Sequence, residues 1–141
     1  EEERAGAHLR TTEELRSCVI WNKGEGNVRI EPLPWQAQLN PQFTTAIGDV
    51  NGDGRQDLWL AGNIYGLSPQ VGRADAGRGT LLLNEGDRNW KYVDNQTAGI
   101  NLRSQVRDAQ YVKLADGGKA LLVGINDEEM RVFRLNPATT K

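Results

Sequence analysis

The residues best placed to do chemistry lie in GDVNGDGRQDLWLAGN, residues 48–63, where three aspartates and an asparagine alternate with smaller or differently charged neighbours. Counted from Asp49, the stretch offers Asp49, Asn51, Asp53, the Arg55 carbonyl and Asp57 at every second position, with Gly54 between the third and fourth. That is calcium-loop spacing: alternate side chains converge while the glycine permits the bend that turns a carbonyl inward. Hard oxygen donors suit Ca²⁺, and no imidazole or thiolate stands nearby to favour a softer ion. The stretch is not an EF-hand, because Leu60 stands where a bidentate Glu is needed and the flanks TTAIG and LWLAG read as strands. The plainer alternative is a solvated Asn-Gly/Asp-Gly hairpin turn. Three carboxylates within bonding reach of one point repel without a cation, which favours the metal.

Other residues offer weaker chemistry. The longest irregular stretch, NIYGLSPQVGRADAGRG at 63–79, carries Tyr65, Arg73, Asp75 and Arg78. It is either a recognition loop or a strap with Arg73 or Arg78 paired to Asp75. Of four tryptophans, Trp21 and Trp59 stand inside apolar runs and read as core, while Trp35 in EPLPWQAQ reads as exposed and available to stack on a sugar ring. Catalysis has little support: His8 is the only histidine, and GLSPQ lacks the second glycine of a nucleophile elbow. The sequon Asn95-Gln96-Thr97 matters only in a source that glycosylates exported proteins.

These groups need a scaffold, and short apolar segments supply it. SCVIWN, NVRIE, FTTAIG, DLWLAG, TLLLN, NWKYV, RDAQYVKL, ALLVGI and MRVFRL are separated by Asn-Gly, Asp-Gly and Gly-Gly turn signals, a pattern of strands and hairpins. The sole helical candidate is one turn at TTEELRS, residues 11–17. The chain has 141 residues, and its 17 basic and 19 acidic side chains create no field that would draw nucleic acid. No apolar run approaches the roughly 20 residues of a spanning helix. The N-terminus lacks a signal-peptide pattern, so an export signal would lie outside this chain. The single cysteine, Cys18, cannot form an internal disulfide and is expected to be a small buried strand residue.

Two stretches repeat. CVIWNKGEGNVRIE aligns with LLLNEGDRNWKY, and FTTAIGDVNGDGRQDLWLAGN with VRDAQYVKLADGGKALLVGIN, matching Asp53 to Asp116 and Asn63 to Asn126. The second loop has lost its ligands, with Val112, Leu114 and Ala120 where Asp49, Asn51 and Asp57 stand, and is expected to be a tight turn without metal. The expected fold class is all-β, built of four-stranded propeller-type repeats, about two blades of a partial propeller. An N-terminal segment (1–16), extended or a short helix, would precede a repeat region (17–135) comprising a hairpin (17–31), a complete blade (43–94) and a partial blade (106–135), followed by a tail (136–141). Open sheet edges in such a sector invite self-association.

DVNGDGRQD, the preceding FTTAIG, and the hairpins WNKGEGNVRIEPLP and LLLNEGDRNWKYV resemble the FG-GAP/VCBS-type repeats of large bacterial secreted or surface β-propeller proteins, including those with the ASPIC/UnbV module. The resemblance covers roughly residues 17–135. It implies one Ca²⁺ held by Asp49, Asn51, Asp53, Arg55 through its carbonyl, and Asp57, in an extracellular, surface or periplasmic protein. The resemblance supplies no activity; the role expected from the residues themselves is a scaffold that binds or adheres to a protein or glycan partner, with Tyr65, Arg73, Asp75 and Trp35 as possible ligand contacts and no nucleic acid or membrane span. The other reading is a non-catalytic part of a secreted, polysaccharide-processing enzyme whose active site lies elsewhere.

Overall fold

The computed structural model describes residue 8 and residues 10–136. Positions 1–7 and 9 of the expected N-terminal segment, and 137–141 of the expected tail, lie outside the described residues. Among the described residues nine strands form three antiparallel sheets. The hairpin β1 (Cys18–Asn22) and β2 (Val28–Pro32) belongs to one compact unit, 1–32. The second unit, 33–141, holds a four-stranded meander of β3 (Gln42–Gly48), β4 (Asp57–Gly62), β5 (Thr80–Gly86) and β6 (Asn89–Val93), and a three-stranded one of β7 (Val106–Lys113), β8 (Lys119–Ile125) and β9 (Arg131–Leu135). Among the described residues, no helix is long and apolar enough to cross a membrane.

Of the two conformations allowed for the N-terminal segment, extended or a short helix, no helix is present at 11–17, and Leu15 is almost wholly exposed. With no apolar stripe to bury, that segment has nothing to offset the cost of nucleating a turn. The helical residues lie elsewhere. A 3-10 turn at Trp35–Gln38 is anchored by the fully buried Ala37, and one α-turn, α1 (Asn95–Ala98), is capped by Asp94, whose carboxylate accepts the Thr97 N–H. Cys18 is half-buried rather than buried, and so is Trp21, which a five-residue hairpin strand cannot enclose.

In the second unit the two sheets pack face to face through Ala46, Trp59, Ala61, Val106, Ala109, Leu121 and Val123. Their first two strands share two features. Each has a register shift early in its first strand, at Gln42/Thr44 and at Val106/Asp108. After the second strand of each, an asparagine N–H returns to the residue before the first strand, Asn63 to the Pro41 carbonyl and Asn126 to the Gln105 carbonyl. These anchors equate Trp59 with Leu122 and Leu58 with Leu121. Yet Trp59 and Leu121, residues of opposite strand parity, meet in the core. The front of one sheet therefore lies on the back of the next, a packing that is directional and not self-complementary.

Close approach is paid for with small residues. Ala46 and Ala109 line the contact, and Gly79, at φ +84, lies so near the Trp59 indole that a Cβ would fall 2.8 Å from the ring. Trp59 is 1% exposed and Trp35 67% exposed. Trp59→Ala is expected to cost about 3–5 kcal/mol of stability, and Trp35→Ala less than about 0.5 kcal/mol, in urea unfolding followed by circular dichroism. Similar losses for both would contradict this assignment of the core.

Candidate functional site

The acidic loop joins β3 to β4, and its carboxylates are engaged mainly by its own backbone. Asp49 Oδ1 accepts the N–H groups of Gly52 (2.7 Å) and Asp53 (3.2 Å), and Oδ2 that of Gly54 (3.0 Å). Asn51 Oδ1 accepts the Asp53 N–H, and Asn51 Nδ2 donates to Asp53 Oδ2 at 2.9 Å. Asp53 Oδ1 accepts the Arg55 N–H at 2.8 Å, while its Oδ2 meets the Arg55 guanidinium at 2.7 Å. Arg55 Nε donates to the Asn84 carbonyl, fastening the loop to β5. Gly54, at φ +83, supplies the reversal that lets three N–H groups turn towards one side chain.

Asp57 is different in kind. It is 0% exposed, its Oδ2 accepts the Val50 N–H and its Oδ1 the Asn84 N–H, both at 2.9 Å. A buried carboxylate without such bonds would carry a large desolvation penalty, so these two donors are what make the position tenable. Asp57 thereby joins the first residues of the loop to β5.

The equivalent turn of the next sheet, residues 114–118, is tight: Leu114 N–H donates to the Gly118 carbonyl, and Asp116 accepts from Gly118 and pairs with Arg134. The two loops lie at the same end of the unit, where Lys119 Nζ donates to the Asp49 carbonyl at 2.9 Å. Beside them an open cleft of about 560 Å³ runs between the sheets, lined by Asn51, Leu81, Tyr111, Phe133 and Leu135 among others. Burial, and secondarily the charge of Asp57, push the Tyr111 phenol well above its ordinary pKa, so it stays protonated.

The donor set fits calcium in its chemistry: every candidate atom is oxygen, and Asp49, Asn51 and Asp53 are tied to one another by hydrogen bonds. Its arrangement fits less fully. Among the described residues no three His, Cys, Asp or Glu side chains are drawn together to hold a metal, and Arg55 neutralises Asp53 where an ion would.

The other candidates are scattered. Asp75 pairs with Arg103 at 2.6 Å, not with Arg73 or Arg78 as expected, because the 100–105 connection runs alongside the 63–79 loop. Arg73 lies over the Tyr65 ring at 4.9 Å, and the Tyr65 hydroxyl donates to the Arg103 carbonyl. Asn63, buried with φ +77, is the hub that sequence reading passed over as a repeat marker. Its side chain bonds the Gly77 N–H, the Gly77 carbonyl and the Ser104 carbonyl, and its own carbonyl accepts from Arg107. The sequon residue Asn95 is likewise absorbed, its Nδ2 donating to the carbonyls of Arg78, Gly79 and Ile100. His8 is exposed.

Two outcomes are expected. Asp57→Ala strands two interior N–H groups and should cost about 3 kcal/mol in denaturant unfolding, more than Asp53→Ala. Backbone N–H bonds, that of Gly54 foremost for Asp49 and that of Arg55 for Asp53, hold both carboxyls below their ordinary pKa. Their contribution is therefore complete above the unfolded value near 3.9 and is lost as pH falls through the lowered folded values. Melts in EDTA between pH 7 and pH 3 should fall only at the acid end, and less steeply in the double variant Asp49→Asn, Asp53→Asn.

No protein-family model, curated protein or solved structure matches this chain, and its function is therefore argued from the chemistry of its own residues.

Proposed function

We propose that this chain is a calcium-clamped segment of a β-propeller-type repeat protein, exported from its cell, whose rigid sheets present loops to a protein or glycan partner. The observation that carries the reading is the wound loop at 49–57, whose candidate ligand atoms are all oxygen and in which Asp49 gathers three N–H groups while Asn51 bonds to Asp53. The directional front-to-back packing of the two sheets supports a repeat that continues beyond one pair, since such contacts propagate into rings or stacks.

In this reading Asp49, Asn51, Asp53 and the Arg55 carbonyl hold the ion, and Asp57 is the buried post that fixes the loop's end to β5. A bound Ca²⁺ supplies positive charge to a carboxylate-rich turn and cross-links its ends. Arg55 releases Asp53 when the ion is present and compensates it when the ion is absent. A weak site of this kind suits the millimolar calcium found outside cells, which supports export.

The test is a thermal melt in EDTA and in millimolar CaCl₂. Calcium is expected to raise the melting temperature of the parent chain, and Asp53→Ala to remove that rise while lowering the melt in EDTA much less than the melt in CaCl₂. An equal loss in both conditions, or no calcium effect on the parent, would refute the clamp.

A further inference from the structure

At the end of the four-stranded sheet remote from the acidic loop, a shallow hollow of about 130 Å³ is bordered by Trp35, Tyr92, Arg78, Asn40 and Asn95. We propose that this hollow is a saccharide-binding site selective for an acidic sugar, with Trp35 and Tyr92 as its aromatic surfaces and Arg78 as its carboxylate or sulfate contact. The inference deepens the scaffold reading by naming the ligand class.

Its walls are built before any ligand arrives. Trp35 is two-thirds exposed, yet its backbone is fixed: the 3-10 turn buries Ala37 completely, the Ala37 N–H donates to the Pro34 carbonyl, and Gln42 Nε2 donates to the Ala37 carbonyl. A large aromatic left in water on a rigid turn offers contact area at little conformational cost. Tyr92, half-buried on β6, pairs in register with Leu82, which is fully buried.

Arg78 is held by its main chain. Asn95 Nδ2 donates to its carbonyl, the Leu102 N–H donates to the same oxygen, and Gly79 is pressed against the Trp59 indole. Its exposed guanidinium meets only a neutral partner, Asn101 Oδ1 at 3.3 Å; no carboxylate pairs with it among the described residues. The neighbouring Arg103, by contrast, is neutralised by Asp75. An arginine with open donor positions that borders the same hollow as two aromatic residues suits a ring with an apolar C–H face and a planar anionic substituent. The size of the hollow suits one sugar unit, with the rest of a chain lying across open surface.

The test is titration of the full chain with an alginate-derived mannuronate tetrasaccharide and with neutral cellotetraose, read by calorimetry and by the four tryptophan indole N–H signals in NMR. The mannuronate oligomer is expected to bind and to shift the Trp35 indole signal. Trp35→Ala should abolish binding while leaving the melt unchanged. Arg78→Gln should weaken the acidic oligomer roughly tenfold and bring its affinity to that of the neutral one. Because the hollow is far from the acidic loop, binding should be the same in EDTA and in CaCl₂, so that failure of the calcium clamp leaves this result standing. Binding of neither oligomer, equal binding of both by the parent, retention of binding by Trp35→Ala, or binding only in calcium would each overturn the proposal.

Discussion

The indole of Trp59 is the contact on which the second unit depends. It lies in the centre of β4 between two sheets, with small residues close by: Ala46 and Ala109 in the same core, and Gly79 where the next strand begins. Interiors pack at crystal-like density, so a large flat side chain on one sheet requires small residues opposite it. The same contact fixes the start of β5, and with it the position of Arg78 one residue earlier. A core interaction thus determines where a surface cation stands.

Polar groups then hold the two ends. At one end Asp57 draws the Val50 and Asn84 N–H groups inward, so that the acidic loop begins and finishes at fixed points. At the other, Asn63 and Asn95 act as side-chain substitutes for backbone partners, binding carbonyls that no strand ladder reaches. Buried or half-buried amides and carboxylates of this sort stabilise only when every donor and acceptor is matched, which makes them position-specific in a way that apolar contacts are not. The irregular 63–79 segment is consequently tied down at Asn63, Tyr65, Asp75 and Gly77, and presents a defined surface.

Arg55 and Lys119 add positive charge to the acidic loop, one on Asp53 and the other on the Asp49 carbonyl. Both contacts are exposed, so each adds little stability in isolation. In the proposed clamp an entering cation would compete with these groups, and its affinity would be set by the difference. The following sheet keeps the turn with Asp116 and Arg134 in an ion pair of their own, which shows how the same hairpin is closed by a protein cation.

The strands and their hairpins were legible in the sequence, because alternating apolar residues punctuated by Asn-Gly and Asp-Gly pairs depend on local rules of side-chain direction and turn geometry. The oxygen-rich spacing from Asp49 to Asp57 was legible for the same reason. Tertiary structure decided the rest. That Asp57 is buried, that Asp75 takes Arg103 rather than Arg73 or Arg78, that the sequon asparagine is consumed by three carbonyls, and that Trp35, Arg78 and Tyr92 border one hollow all depend on residues up to 57 positions apart in the chain meeting across sheets and connections. Sequence spacing encodes what a residue does to its neighbours within a turn or a strand. Which distant partner satisfies a charge or walls a hollow is set by the packing of whole sheets, here by the one face of β4 that a tryptophan occupies.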